Sequence, residues 1–164
     1  MEPTGRAAEL VRLLGLAPHP EGGWYAELFR SPRAVQPQDG RPPRAALTSI
    51  DFLLAAGQHS AWHRVASDEV WHLLEGGPLR LWLASPALDA VNALELGPAG
   101  GPGAAPRQVV PAGWWQAAEP LGEYAWAGAT VGPGFEFDDF AFGRDDAPLR
   151  RALQARWPEL QRLL

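Results

Sequence analysis

The stretch Gly57-Gln-His59-Ser-Ala-Trp-His63-Arg64-Val65-Ala-Ser-Asp-Glu69-Val-Trp71-His72-Leu-Leu-Glu-Gly76 sets the architecture of this chain. Side chains alternate across a strand, so Ala61, His63 and Val65 share one face and Glu69, Trp71 and Leu73 share another. Ala66-Ser-Asp68 reads as a tight turn that folds the two strands back on each other, so that His63 and Glu69 meet. The other residues of that face are apolar, which makes it the interior. A buried imidazole and carboxylate must find partners, and desolvation shifts their pKa values. Such groups mark functional sites, although structural ion pairs are perturbed in the same way. His63 and Glu69 are therefore the candidate catalytic residues. His72 has the opposite parity and is expected outward, at a surface or an interface. His59 has the parity of His63 but lies about 13 Å away along a regular strand, too far to share one metal and suited to a pocket mouth. His19 lies in a turn and is expected to be structural.

A second element follows at Pro111-Ala-Gly113-Trp114-Trp115-Gln116. Pro fixes φ and Gly permits positive φ, so Pro111-Ala-Gly113 reads as a turn into a strand. Trp114, Gln116 and Ala118 take one face of that strand. Gln116 both accepts and donates, so it can orient a ligand, ligate a metal weakly or satisfy buried backbone.

The rest of the chain reads as short strands. They are expected near 24–30, 45–54, 60–65, 69–74, 79–84, 93–96, 108–110, 116–119, 124–131 and 136–142. Eighteen glycines and 17 prolines supply the turns between them. Many short strands at this spacing predict an antiparallel sandwich or barrel. The stretch 97–106 reads as an exposed, mobile loop. Helices are expected at 4–16, capped by Thr4 and stopped by Gly15, and over 146–164, capped by Asp145 or Asp146 and split by Pro158. Both are expected to pack outside the barrel. No repeat and no linker interrupts the chain, which reads as one domain over 1–164 with its barrel at about 22–142.

Composition narrows the function. A net charge of −5 disfavours a nucleic-acid partner. All 14 basic residues are arginine, which reads as genome composition bias. Without cysteine there is no disulfide, thiolate metal site or cysteine nucleophile. No apolar run approaches the roughly 20 residues that span a bilayer. The expectation is a cytoplasmic protein with neither membrane nor nucleic acid as partner.

These elements resemble the cupin superfamily. Its first motif is Gly, five residues, His, one residue, His, three or four residues, Glu, six residues, Gly. Gly57, His63, Glu69 and Gly76 fall on it, with Val65 at the second His. Its second motif is Pro-x-Gly, two residues, His; Pro111, Gly113 and Gln116 fall on it, with Gln for His. The chain is most similar to one branch, the cupin-5 or DUF985 family. The matching segments are Pro18-His-Pro-Glu-Gly-Gly23, Glu27-Leu-Phe-Arg-Ser31, Ser60-Ala-Trp-His-Arg64, Ser67-Asp-Glu-Val-Trp-His72, Val110-Pro-Ala-Gly-Trp-Trp-Gln116 and Val131-Gly-Pro-Gly-Phe-Glu-Phe-Asp-Asp-Phe140. The resemblance implies an all-β jelly roll, the double-stranded β-helix, that dimerises. It places the chain near sugar epimerases that act on dTDP-4-keto sugars.

Three functions compete at this point. In the first, a metal-independent epimerase or isomerase, His63 removes a proton α to a carbonyl while an acidic neighbour, Glu69 or Asp68, holds it. The related epimerases pair that His with an acid, usually Tyr; here Tyr25 and Tyr124 stand outside the matched motifs. Arg30, Arg44 and Arg64 are the basic candidates for a nucleotide-sugar. In the second, His63, Glu69 and Gln116 hold iron, manganese or zinc weakly. In the third, a non-catalytic module holds a small sugar- or nucleotide-like ligand between aromatic walls. Ligand contacts are expected from Gln116, Trp71, Trp114, His59, Arg64 and Phe137, with Phe135 as a further wall.

Overall fold

The structure, a computed structural model, describes residues 2–164. Its strands are β1 (Ala17–Pro18), β2 (Trp24–Arg30), β3 (Ala34–Val35), β4 (Arg44–Ala45), β5 (Thr48–Ala55), β6 (Ser60–Val65), β7 (Asp68–Gly76), β8 (Leu79–Ala84), β9 (Val91–Leu96), β10 (Ala104–Ala105), β11 (Arg107–Val110), β12 (Trp115–Pro120), β13 (Tyr124–Gly132) and β14 (Phe140–Phe142). One sheet runs β1-β2-β5-β13-β7-β11 and the other β10-β9-β8-β12-β6-β14, while β3 pairs only with β4. The two sheets close over a common core as a jelly-roll barrel.

The helices cover the outer faces. Helix α1 (Gly5–Leu13) sets Ala7 and Leu10 against Leu53, Trp24 and Trp126 of the first sheet. It is shorter than expected: Thr4 is extended at the N-cap position but its side chain makes no capping bond. Helix α2 (Ala147–Arg156) begins where the Asp146 carboxylate accepts the Leu149 N–H at 2.8 Å. Pro158 then restarts the chain as a 3-10 turn, Pro158–Leu163. Leu149, Leu153, Leu160 and Leu163 bury their stripe on Trp62 and Trp115 of the second sheet. The Trp62 indole N–H donates to the Leu160 carbonyl at 3.1 Å, which fixes the angle of that segment.

Three expectations need correction. First, β6 and β7 are not a hairpin. β6 lies between β12 and β14, and β7 between β13 and β11, so the link at Ala66 and Ser67 crosses from one sheet to the other. That link spends its polar groups elsewhere: Ala66 N–H donates to the Asp139 carbonyl at 3.1 Å, and buried Ser67 accepts from Arg41 at 3.0 Å. His63 and Glu69 therefore come from opposite walls of the barrel. Second, residues 136–142 form a 3-10 turn, Phe137–Asp139, before β14. The Asp139 carboxylate is drawn to Arg44 by two 2.9 Å contacts and to Arg41 by a third. Third, the loop at 97–106 is pinned at its end. β10 pairs in parallel with β9, and the Gln108 amide donates to the Glu95 and Gly103 carbonyls at 2.9 Å each.

The interior is solid at one end and hollow at the other. Along β5, Phe52 and Leu54 belong to the packed core, whereas Thr48 and Ile50 line a cavity. Along β13, Ala125 and Ala127 are core, and Ala129 and Val131 line the cavity.

Candidate functional site

The cavity measures about 240 Å³. Its polar wall is built from three elements. His63 projects inward from β6, 3% exposed, and its Nδ1 lies 2.7 Å from the Ala61 carbonyl oxygen. A carbonyl only accepts, so Nδ1 carries hydrogen and Nε2 is left as the acceptor. Nε2 lies 3.2 Å from Oε2 of Glu21. Oε1 of Glu21 accepts the Ser60 hydroxyl at 2.8 Å. One proton thus serves the Glu21–His63 contact.

Burial decides where that proton rests. It pushes the Glu21 carboxyl up to about 8, with the Ser60 bond working the other way. It lowers the pKa of the His63 imidazole, against the opposing pull of Glu69. Both shifts favour a neutral carboxyl donating to a neutral imidazole at pH 7. The imidazole is also stacked on Phe140, with ring centroids 5.2 Å apart and planes 15° apart.

Glu69, on the facing sheet, is also pushed up by burial, to about 7. Its Oε2 accepts from the Gln116 amide nitrogen, and Oε1 of Gln116 accepts the Trp71 indole N–H at 3.0 Å. The row Glu69–Gln116–Trp71 therefore ties the two sheets together across the interior.

Sequence reasoning missed Glu21. It lies in the turn Pro18-His-Pro-Glu-Gly-Gly23, which is pressed on β6 by the Ala61 N–H donating to the Glu21 carbonyl at 2.7 Å. Two glycines make this approach possible. Gly22 has φ +107°, and a Cβ there would collide with the His59 carbonyl oxygen; Gly23 has φ +76° and a Cβ would lie 2.8 Å from the Leu53 carbonyl oxygen. A carboxylate followed by a pair of glycines in a matching family segment was the available signal. His19 of the same turn also lines the cavity, with Nδ1 accepting the Glu21 N–H at 3.1 Å. Burial lowers its pKa to about 4, so it stays neutral. Tyr25, edge-on to His19 with ring centroids 4.4 Å apart, lines the cavity from the sheet facing His63.

The remaining candidates separate. His63, Glu69, Trp71, Phe135 and Phe137 line the cavity, and Gln116 touches it through Glu69. His59, Arg64 and Trp114 do not line it. His59 borders a different surface groove with Arg144 and Leu164. Arg64 has the opposite parity to His63 and lies over Trp115 on the outer face, 4.6 Å from the ring centroid. Trp114 is half-buried against the core cluster that includes Val110 and Trp71.

A scan of family models adds a decisive observation: the model described as Cupin superfamily (DUF985), Cupin_5, matches residues 8–143. The chain belongs to the Cupin_5 family. Two solved structures match almost end to end. A hypothetical protein from Leishmania major is 27% identical with a TM-score of 0.84, covering 94% of this chain and 96% of that one. A protein from Shewanella oneidensis is 31% identical with a TM-score of 0.79, covering 94% of each. Oxalate decarboxylase from Bacillus subtilis shares the fold at 13% identity, with a TM-score of 0.56 over 90% of this chain and 36% of that one. No protein of curated function matches the sequence.

Metal-dependent cupins set the question of a metal centre, and the donors of this Cupin_5 chain do not fit one. Val65, which lines the cavity at the second His position of the motif, offers no lone pair. Both polar atoms of Gln116 are committed, to Glu69 and to Trp71. Among the described residues, no three His, Asp or Glu side chains stand close enough together to hold one ion. Likewise no helix among the described residues is long and apolar enough to cross a membrane.

Proposed function

We propose that this Cupin_5 protein binds a small polar molecule of sugar-like size in its cavity and moves a proton on it without a metal, as an isomerase or epimerase does. The observation that supports this most is the buried Glu21–His63 contact at the wall of the cavity. A substrate C–H bond α to a carbonyl gives its proton to the Glu21 carboxyl, while the proton already on Glu21 passes to Nε2 of His63. The products of that step are an enolate and an imidazolium, so charge is conserved. Return of a proton from the other face needs an acid on the facing sheet, and Glu69 and Tyr25 both stand there. Two acids held near neutrality, Glu21 and Glu69, suit such work at cellular pH. In this assignment His63 and Glu21 act together, and Glu69 is the second acid.

Size limits the guest. The cavity falls below the roughly 300 Å³ at which pockets for drug-sized ligands begin. A single ring fits inside, and a nucleotide attached to it stays outside the mouth.

The test is solvent exchange. In D2O the wild type should wash out the α-proton signal of a keto-sugar from a panel of unphosphorylated hexuloses, pentuloses and their amino-deoxy derivatives, and Glu21→Gln should not. Exchange by Glu21→Gln at the wild-type rate would refute the roles. Ligand retained in native mass spectrometry without exchange favours a non-catalytic binding module, for which the aromatic lining speaks. Stoichiometric iron, manganese or zinc in the purified protein would overturn the metal-free part.

The proposal includes a homodimer. Val109 and Val70 are paired on the outer face of the first sheet, with Thr130 beside Val70 and Leu74 over Gly128. Val109 is 55% and Leu74 51% exposed. Sedimentation equilibrium at twice the mass of 17.7 kDa supports this, and a monomer at tens of micromolar refutes it.

A further inference from the structure

The lining of the cavity specifies the chemical class of its guest, provided that the cavity is a ligand site as proposed above. Five aromatic side chains line it: Tyr25, Trp71, Phe135, Phe137 and Phe140. The three phenylalanines stand 5.0 to 6.3 Å apart and are steeply inclined to one another. Phe137 keeps 53% of its surface exposed at this spot. The face of an aromatic ring carries negative potential and attracts cations.

The charged groups point the same way. Four carboxyl groups line the space, those of Glu21, Glu27, Glu69 and Glu136. Arg30 is the one Arg among the described lining residues. Its guanidinium is already spent: it donates to Glu27 at 2.7 and 3.1 Å, to Glu136 at 3.0 Å and to the Phe135 carbonyl at 3.1 Å. Four of its five N–H donors are thereby taken. An incoming phosphate or carboxylate finds no free guanidinium and faces the carboxyl groups of Glu27 and Glu136, which share that single Arg.

We propose that the guest presents a positively charged nitrogen, a free or alkylated ammonium, to the rings of Phe135, Phe137, Phe140 and Tyr25, with the Glu69 carboxyl beyond them. This selects small amine-bearing polar molecules over phosphorylated sugars and nucleotides. It deepens the proposed function by naming the substrate class of the same site.

The chain carries a single isoleucine, Ile50, and that residue lines the cavity, so its δ-methyl resonance reports on the interior alone. The full chain is titrated at constant ionic strength with tetramethylammonium, with its neutral counterpart tert-butanol and with inorganic phosphate. Tetramethylammonium should shift Ile50 with a Kd roughly tenfold below that of tert-butanol, and phosphate should leave it unmoved. Phe137→Ala should erase most of the preference for the cation. Equal binding of tert-butanol overturns the cation inference while the cavity stands as a ligand site. A shift with phosphate overturns it too. If none of the three probes moves Ile50, both the inference and the ligand site fall.

Discussion

Replacing Glu21 by Gln should flatten the pH dependence of folding above pH 6.5. The unfolded side chain titrates near 4.3, and the folded one is held up to about 8. Between these values the native state keeps a proton that the unfolded state has lost. Stability therefore falls as pH rises through that window and levels off above it. His63, His19 and His59 work in the opposite direction, because burial depresses them, and since an unfolded histidine is still half protonated at its ordinary pKa of about 6.5, the three together return about 1 kcal/mol as pH rises from 6.5 to 8. From pH 6.5 to 8 the raised carboxyls outweigh them. A folded pKa of about 8 makes the Glu21 share of the loss about 2 kcal/mol, and Glu69, at about 7, adds about 1 kcal/mol. In the variant, the Gln oxygen can accept from Ser60 and the amide can donate to Nε2 of His63, so it mimics the protonated carboxyl. Urea unfolding at pH 6.5, 7, 7.5 and 8 reads the difference. The wild type should lose about 1 to 2 kcal/mol over this range and Glu21→Gln close to none, with unchanged m-values. Equal slopes in the two proteins, or a flat wild type, would refute the neutral carboxyl.

Three further substitutions probe the supports of the site. Gln116→Leu leaves the Trp71 indole N–H and the Glu69 carboxyl without their partner, and should cost about 2–5 kcal/mol in urea unfolding. Gly22→Ala meets both a positive φ and the His59 carbonyl; it should cost about 3 kcal/mol or more and, by shifting the turn, weaken the Glu21 slope measured above. Asp139→Ala removes the anchor of Arg44 and Arg41, and should destabilise by about 3 kcal/mol while loosening the Phe135–Phe140 wall, seen as faster amide exchange there.

Much of this was legible in the residues. Period-two alternation placed His63 and Glu69 on interior faces, and the spacing around them pointed to the cupin fold. Asp146 and Pro158 marked the start and the break of the C-terminal helix. Alternation says which face a residue takes, but not which strand lies beside it, so the crossing at Ser67 read as a hairpin. The same limit admitted His59, Arg64 and Trp114, whose parity or charge suited a pocket that they do not border. Glu21 stayed hidden because no period governs a turn: its place at His63 depends on two glycines letting the chain touch β6. Tyr25 sits outside the matched motifs, and only the closing of β2 over the barrel brings it to the cavity.

The shared proton can be observed directly. Long-range 1H–15N NMR of the histidine rings at pH 7 should find His63 neutral, with hydrogen on Nδ1 and a bare Nε2 that accepts from Glu21. A doubly protonated His63 ring at that pH would mean an ion pair in place of a poised acid, and would contradict the account.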